Sequence, residues 1–165
     1  MFNIGDRVVY PMHGAGIIEA IEEREVLGEK QSYYIMHLPV GDMKVMVPVN
    51  SVADIGLREV ISEKEIPKVL EILDGETEMM SSNWNRRYRA NLEKIKSGDI
   101  FELTEVVKYL SVREQEKGLS TGERKMLENA RQILVSELVL AGNTTEEEVR
   151  ELLEQTLQNA TAMAE

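Results

Sequence analysis

The chain has 165 residues, 42% of them apolar, a formal net charge of -11 and no cysteine. That is enough apolar material for a packed core, and it excludes disulfides and thiolate metal centres. No apolar run approaches the roughly 20 residues of a membrane helix, and the N-terminus lacks the basic-then-apolar pattern of a secretory signal. The composition therefore predicts a soluble, cytoplasmic protein whose bulk field repels nucleic acid.

The first sixty residues read as strands. Residues 7–10, 16–21, 32–38 and 43–49 are rich in β-branched and aromatic side chains. Turn signals separate them: Pro11 with Gly14, the stretch LGEK around Gly28, and Gly41-Asp42, which reads as a tight hairpin. Four or five short strands are too few for an ordinary sandwich, so they predict a small, strongly bent barrel of the SH3 or Tudor type. Pro48 is expected to end the fourth strand or to lie on an edge. Residues 43–47 form an edge candidate, with Lys44 and Met46 on one face and Met43, Val45 and Val47 on the other. A strand at a sheet edge offers main-chain bonds to another protein.

From Ser62 onward the apolar period becomes helical. Ser62 and Glu65 have the spacing of a capping box, followed by Ile66, Val69, Leu70 and Leu73 on one face. Gly75 stops that helix, and residues 75–83 read as a loop. A second helix is expected from residue 83 to residue 97, with Tyr88, Leu92 and Ile95 as its core stripe. A third carries Leu103, Val106, Val107 and Leu110. A fourth follows a capping-box pattern at Ser120 and Glu123, and buries Met126, Leu127, Ala130, Ile133, Leu134 and Leu138. A fifth begins after Thr145, with Val149, Leu152, Leu153 and Leu157 on one face. Short connections predict an antiparallel bundle. The expected class is α+β: a barrel over residues 1–60, then a domain of about five helices over residues 61–165.

Catalytic signals are weak. The two histidines, His13 and His37, lack metal-ligand spacing. Gly14 and Gly16 lack the third glycine and the following helix of a dinucleotide loop. The expectation is no enzyme, no catalytic residue, no metal and no cofactor.

One stretch stands apart. Residues 84–96 hold the chain's single tryptophan, five basic residues and one acid, a window of +4, whereas residues 143–165 hold six acids and one base. Trp84 follows a polar loop at a helix start, where free amides and a partial positive charge suit a phosphate. Arg86, Arg87 and Arg89 come directly after it, and Glu93 is the only acid on the same helix. An aromatic wedge beside arginines suits nucleic acid with little base readout.

The blocks GDRVVYPMHGAGIIEAIEER, MKVMVP, NWNRRYRANLEKIKSGD and GLSTGERKMLENARQILVSEL, in this order, resemble the CarD family of bacterial transcription factors in its short CdnL-like form. The resemblance implies that the Tudor-like domain pairs a strand with the β subunit of RNA polymerase. It implies that the helical domain reaches promoter DNA at the upstream edge of the bubble, in the minor groove, and stabilises the open complex. Carried onto this chain, Trp84 is the wedge, and Arg86, Arg87 and Arg89 contact DNA. Arg24, Met43, Lys44, Val45, Met46 and Val47 contact polymerase. Met46 stands where some members have an arginine, which favours an apolar or backbone contact there. The simplest assembly is a monomer, nucleoid-associated through polymerase. The competing reading is a polymerase adaptor that does not touch DNA.

Overall fold

The computed structural model describes residues 1–76 and 80–164, with side chains described as far as residue 160. The expected loop at 75–83 therefore lies partly outside the described residues. Strands β1 (Arg7–Tyr10), β2 (Gly14–Val26), β3 (Glu29–Leu38), β4 (Met43–Pro48) and β5 (Arg58–Glu59) form one sheet in the order β4-β3-β2-β1-β5. All its pairings are antiparallel. Alternation places Tyr34, Met36 and Leu38 of β3 inward, where they meet Val8, Ile18, Val47 and Leu57. The sheet wraps this core but stays open, with β4 at one end of the order and β5 at the other.

Two devices bend the sheet. A bulge between Ile18 and Ala20 adds one residue to β2. Gly16 sits where a Cβ atom would lie 2.4 Å from the His37 carbonyl oxygen, so only glycine lets the backbones approach this closely. Gly14, expected in the turn with Pro11, is instead the first residue of β2.

The strand at 16–21 is longer than expected. Residues 22–26 continue it as a two-stranded arm with β3, closed by Leu27 and Gly28 at φ 52° and 82°. Two left-handed residues in succession give the turn whose twist matches a hairpin. The 39–42 connection is looser than the expected two-residue turn. Its Gly41 and Asp42 are left-handed, and the Asp42 amide donates to Pro39.

After β4 the chain makes a 3₁₀ turn (Val49–Ser51) and α1 (Val52–Ile55), then returns through β5. A 3₁₀ turn at Glu63–Glu65 carries the Ser62 capping box and leads into α2 (Ile66–Asp74). The remaining helices are α3 (Trp84–Lys96), α4 (Ile100–Glu116), α5 (Thr121–Ala141) and α6 (Glu146–Ala164). Side chains of Asn83, Asp99 and Ser120 cap α3, α4 and α5 by accepting backbone amides. Helices α2, α4, α5 and α6 share one core that includes Leu73, Val107, Leu110, Leu134 and Val149.

Residues 133–140 of α5 are buried on nearly all sides because the sheet lies against them. Val9 and Ala15 pack on Leu140. The Ala15 amide donates to Ser136 Oγ at 2.8 Å. Arg58 donates two hydrogen bonds of 2.7 Å to Glu137, which also accepts from the Ile61 amide at 2.9 Å. Arg58 Nε reaches the Gly98 carbonyl as well. Glu137 is fully buried, so this cluster ties β5, α5 and the α3–α4 turn together without leaving a charge unpaired.

Candidate functional site

Trp84 is the first residue of α3, capped by Asn83, whose side chain accepts from the Arg86 amide at 3.2 Å. Its indole stacks on Tyr88, one helical turn on, with ring centroids 4.9 Å apart and planes 19° apart. The indole Nε1 donates to Ser120 Oγ at 3.0 Å. Ser120 is also the cap of α5, accepting from the Glu123 amide. A Cβ added at Gly122 would lie 3.4 Å from Trp84 Cζ2, so the ring also rests on the first turn of α5. With those supports it remains 41% exposed. Two helix N-termini meet at this ring, and their free amides and partial positive charges add.

The structure divides the three arginines. Arg86 and Arg89 are exposed and form no ion pair among the described residues. Arg87 is not on that face. It is 3% exposed and gives Glu123 hydrogen bonds of 2.9 and 3.1 Å from Nε and Nη2. Its Nη1 points at the Ser81 and Ser82 carbonyls. The physical reason is helical phase: Arg87, Asn91 and Ile95 share the buried face of α3, four residues apart. Their acidic partner comes from α5, so the scarcity of acids on α3 itself was no guide. The expectation that Arg87 contacts DNA is corrected: its guanidinium is already engaged.

The Ser120/Glu123 pattern is also used differently from a capping box. Ser120 caps the helix, but the Glu123 carboxylate turns to Arg87 and Ser120 Oγ. The two hydrogen bonds from Arg87 hold the Glu123 carboxyl below its usual range against the opposing effect of burial. The same bonds push the Arg87 guanidinium up. Sequence reasoning also passed over Arg124 and Lys125, which are exposed near the start of α5, the helix whose cap Ser120 holds the indole. Their positions gain meaning only once the N-termini of α3 and α5 are known to meet.

In the sheet, β4 is the terminal strand and among the described residues pairs with β3 alone, so its outer edge is free. Lys44 and Met46 face outward and Val47 is buried, as the alternation predicts, while Met43 at the strand start is exposed. Register places Met46 opposite Ile35 and, through it, Ala20; Arg24 lies opposite Gln31 on the same outer face. Arg24, Lys44 and Met46 therefore share one face. Arg24 is held by Glu22 at 2.8 Å and Lys44 by Glu19 at 3.3 Å. Val45 is half-buried and offers only backbone at the edge.

Among the described residues, no helix is long and apolar enough to cross a membrane, and no group of His, Asp and Glu is placed to hold a metal ion.

Residues 2–61 match the CarD-like/TRCF RID domain, and residues 68–154 match the CarD C-terminal domain. A relative in Bacillus subtilis (strain 168), YdeB, is 43% identical over 151 residues, which are 91% of this chain and 98% of YdeB. Its name assigns it provisionally to the transcription factors. Similar solved structures include the solution NMR structure of the 72-residue N-terminal domain of Myxococcus xanthus CarD, at 39% identity, 36% of this chain, 79% of that one and a TM-score of 0.32. CdnLNt from the same organism is 44% identical over 38% of this chain and 87% of its own, with a TM-score of 0.33. Both domains in the right order, and a relative matched over almost its whole length, make this chain a member of the CarD family of transcription regulators.

Proposed function

We propose that the chain binds the β subunit of RNA polymerase through the free edge and outer face of its sheet, and stabilises the promoter open complex through Trp84. The observation that carries this reading is the tryptophan corner. A half-exposed indole sits where two helix N-termini meet, flanked by the unengaged Arg86 and Arg89. The arginines and amides hold phosphates, and the ring inserts beside a base step at the upstream edge of the bubble, in the minor groove. The minor groove presents a degenerate pattern of donors and acceptors, so sequence specificity is low. At the sheet, β4 donates main-chain bonds while Met46 supplies an apolar contact and Arg24 and Lys44 flank it. In this reading the protein acts as a cytoplasmic monomer that meets DNA only on polymerase, and no catalytic step is involved.

The test is the lifetime of an open complex on a weak promoter with the cognate polymerase. Wild type is expected to lengthen it. Trp84→Ala forfeits stacking of about 1–3 kcal/mol, a lifetime effect of roughly 5- to 150-fold, while its binding to polymerase is unchanged. Met46→Glu loses polymerase binding and the lifetime effect together. If wild type and Trp84→Ala act alike, the wedge reading fails, and a polymerase adaptor that does not touch DNA takes its place.

A further inference from the structure

The chain has nine methionines and no cysteine, so thioethers are its only oxidisable sulfur. The fold treats them unequally. Met36 is fully buried in the sheet core, and Met126 is 6% exposed in the helical core. Among the described residues Met1, Met43 and Met46 are exposed, and the last two, at 44% and 42%, both lie on β4. Met46 stands on the outer face of this edge strand, opposite the half-buried Ile35. The apolar contact that the edge offers is therefore also an accessible reductant.

Oxidation inverts what this side chain can do. A thioether is flexible and apolar and suits a dry contact, whereas a sulfoxide is polar. Covered without a hydrogen-bond donor, the sulfoxide oxygen opposes binding. The one cation of β4, Lys44, is already held by Glu19 at 3.3 Å. Ile35 across the strand pair and Ala20 beyond it offer only carbon.

Given docking of polymerase on β4, on which this rests, we propose that Met46 is an oxidation site for peroxide and that its sulfoxide keeps the chain off polymerase. The sulfur takes one oxygen from hydrogen peroxide: the O–O bond breaks, an S–O bond forms and water leaves. Sulfur loses two electrons and the peroxide gains them. A sulfoxide reductase reverses the step, removing the oxygen as water while two thiols become a disulfide. Only the free chain reacts, because a docked partner covers the sulfur. Oxidation acts on recruitment, and Trp84 takes no part in it.

The full chain is treated with hydrogen peroxide, the excess is removed with catalase, and sulfoxides are mapped by peptide mass spectrometry. Met46 should oxidise roughly tenfold faster than Met36 and Met126, following exposure. Affinity for the cognate polymerase is then compared before and after treatment within each of wild type, Met43→Leu and Met46→Leu. Wild type and Met43→Leu should each lose roughly tenfold or more, and a methionine sulfoxide reductase with a thiol should restore the affinity. Met46→Leu, whatever its starting affinity, should keep it. Circular dichroism of treated and untreated wild type should coincide, since the buried methionines are spared. The proposal is overturned if Met46 reacts no faster than Met126, if wild type oxidised at Met46 binds as before, if Met46→Leu loses as much as wild type, or if treatment unfolds the chain. Failure of untreated wild type to bind polymerase is a separate result: it refutes docking at β4, and this switch with it.

Discussion

Replacing Arg87 by glutamine separates the buried pair from the exposed arginines on either side of it. Arg87 and Glu123 are 3% and 2% exposed and share hydrogen bonds of 2.9 and 3.1 Å. Without the guanidinium, the buried Glu123 carboxylate is left with Ser120 Oγ and the more distant charge of Arg113, and the Ser81 and Ser82 carbonyls lose this donor. Breaking a buried pair from one side costs about 3–5 kcal/mol. For a chain of this size each kcal/mol moves the melting temperature by about 2–4 °C, so Arg87→Gln should melt roughly 6–20 °C below wild type. Arg86→Gln and Arg89→Gln are exposed changes and should stay within about 0.5 kcal/mol. The assay is thermal melting by circular dichroism, with the double variant Arg87→Met, Glu123→Leu as a control that removes both charges and should recover much of the loss. In the ternary complex the pattern reverses: each of Arg86→Gln and Arg89→Gln lowers the salt slope by about 1. If Arg87→Gln melts like Arg86→Gln and instead lowers the salt slope, the inward placement of Arg87 is wrong.

Three further outcomes follow from the same geometry. The depressed Glu123 carboxyl contributes stability that is present above its ordinary value of 4.5 and lost as pH falls through the lower folded value; the stability gap between wild type and Glu123→Gln, measured by urea unfolding, should therefore close on acidification below about pH 4.5. Glu137→Gln weakens two hydrogen bonds from Arg58 and one from the Ile61 amide, at a cost of about 1.5–3 kcal/mol, and hydrogen exchange at the Ile61 amide should speed up while the arm of β2 and β3 is unaffected. Gly16→Ala forces a Cβ to 2.4 Å from the His37 carbonyl oxygen and should cost about 1–3 kcal/mol, read as a lower urea midpoint at unchanged slope.

Much of the architecture was legible because its signals are local. Ser62, Asn83, Ser120 and Thr145 mark helix starts by chemistry that acts within one turn, and the alternation in β3 separates Tyr34, Met36 and Leu38 from their neighbours by burial alone. What failed to show was decided by partners distant in sequence. Helix α3 is so polar that its period could not say which polar residues point inward; Arg87 is inside because Glu123, 36 residues later, receives it. Ser136 and Glu137 lie off the apolar stripe of α5 and read as surface, yet they are buried because the sheet covers that side. The acidic run at Glu22 to Glu25 interrupts the apolar pattern, but a two-stranded arm with solvent around it needs no apolar face, so β2 continues to Val26.

Sheet and helices are joined by directional contacts. Arg7 reaches the Leu140 carbonyl, Ala15 reaches Ser136, and Arg58 grips Glu137, all on α5. The same helix begins at Ser120, which holds the Trp84 indole. One rigid element thus runs from the sheet to the tryptophan corner. In the proposed function this matters more than the affinity of either end. A chain of net charge -11 gains little from DNA at a distance, because charges beyond a screening length of about 8 Å count for little. Held on polymerase, the ring meets DNA at an effective concentration set by the stiffness of its connection. A flexible joint would dilute that concentration over many orientations, whereas α5 fixes one. Stiffness supplies proximity but no preference between closed and open DNA. That preference must come from the indole itself, which finds a place to insert only where a base step has begun to part.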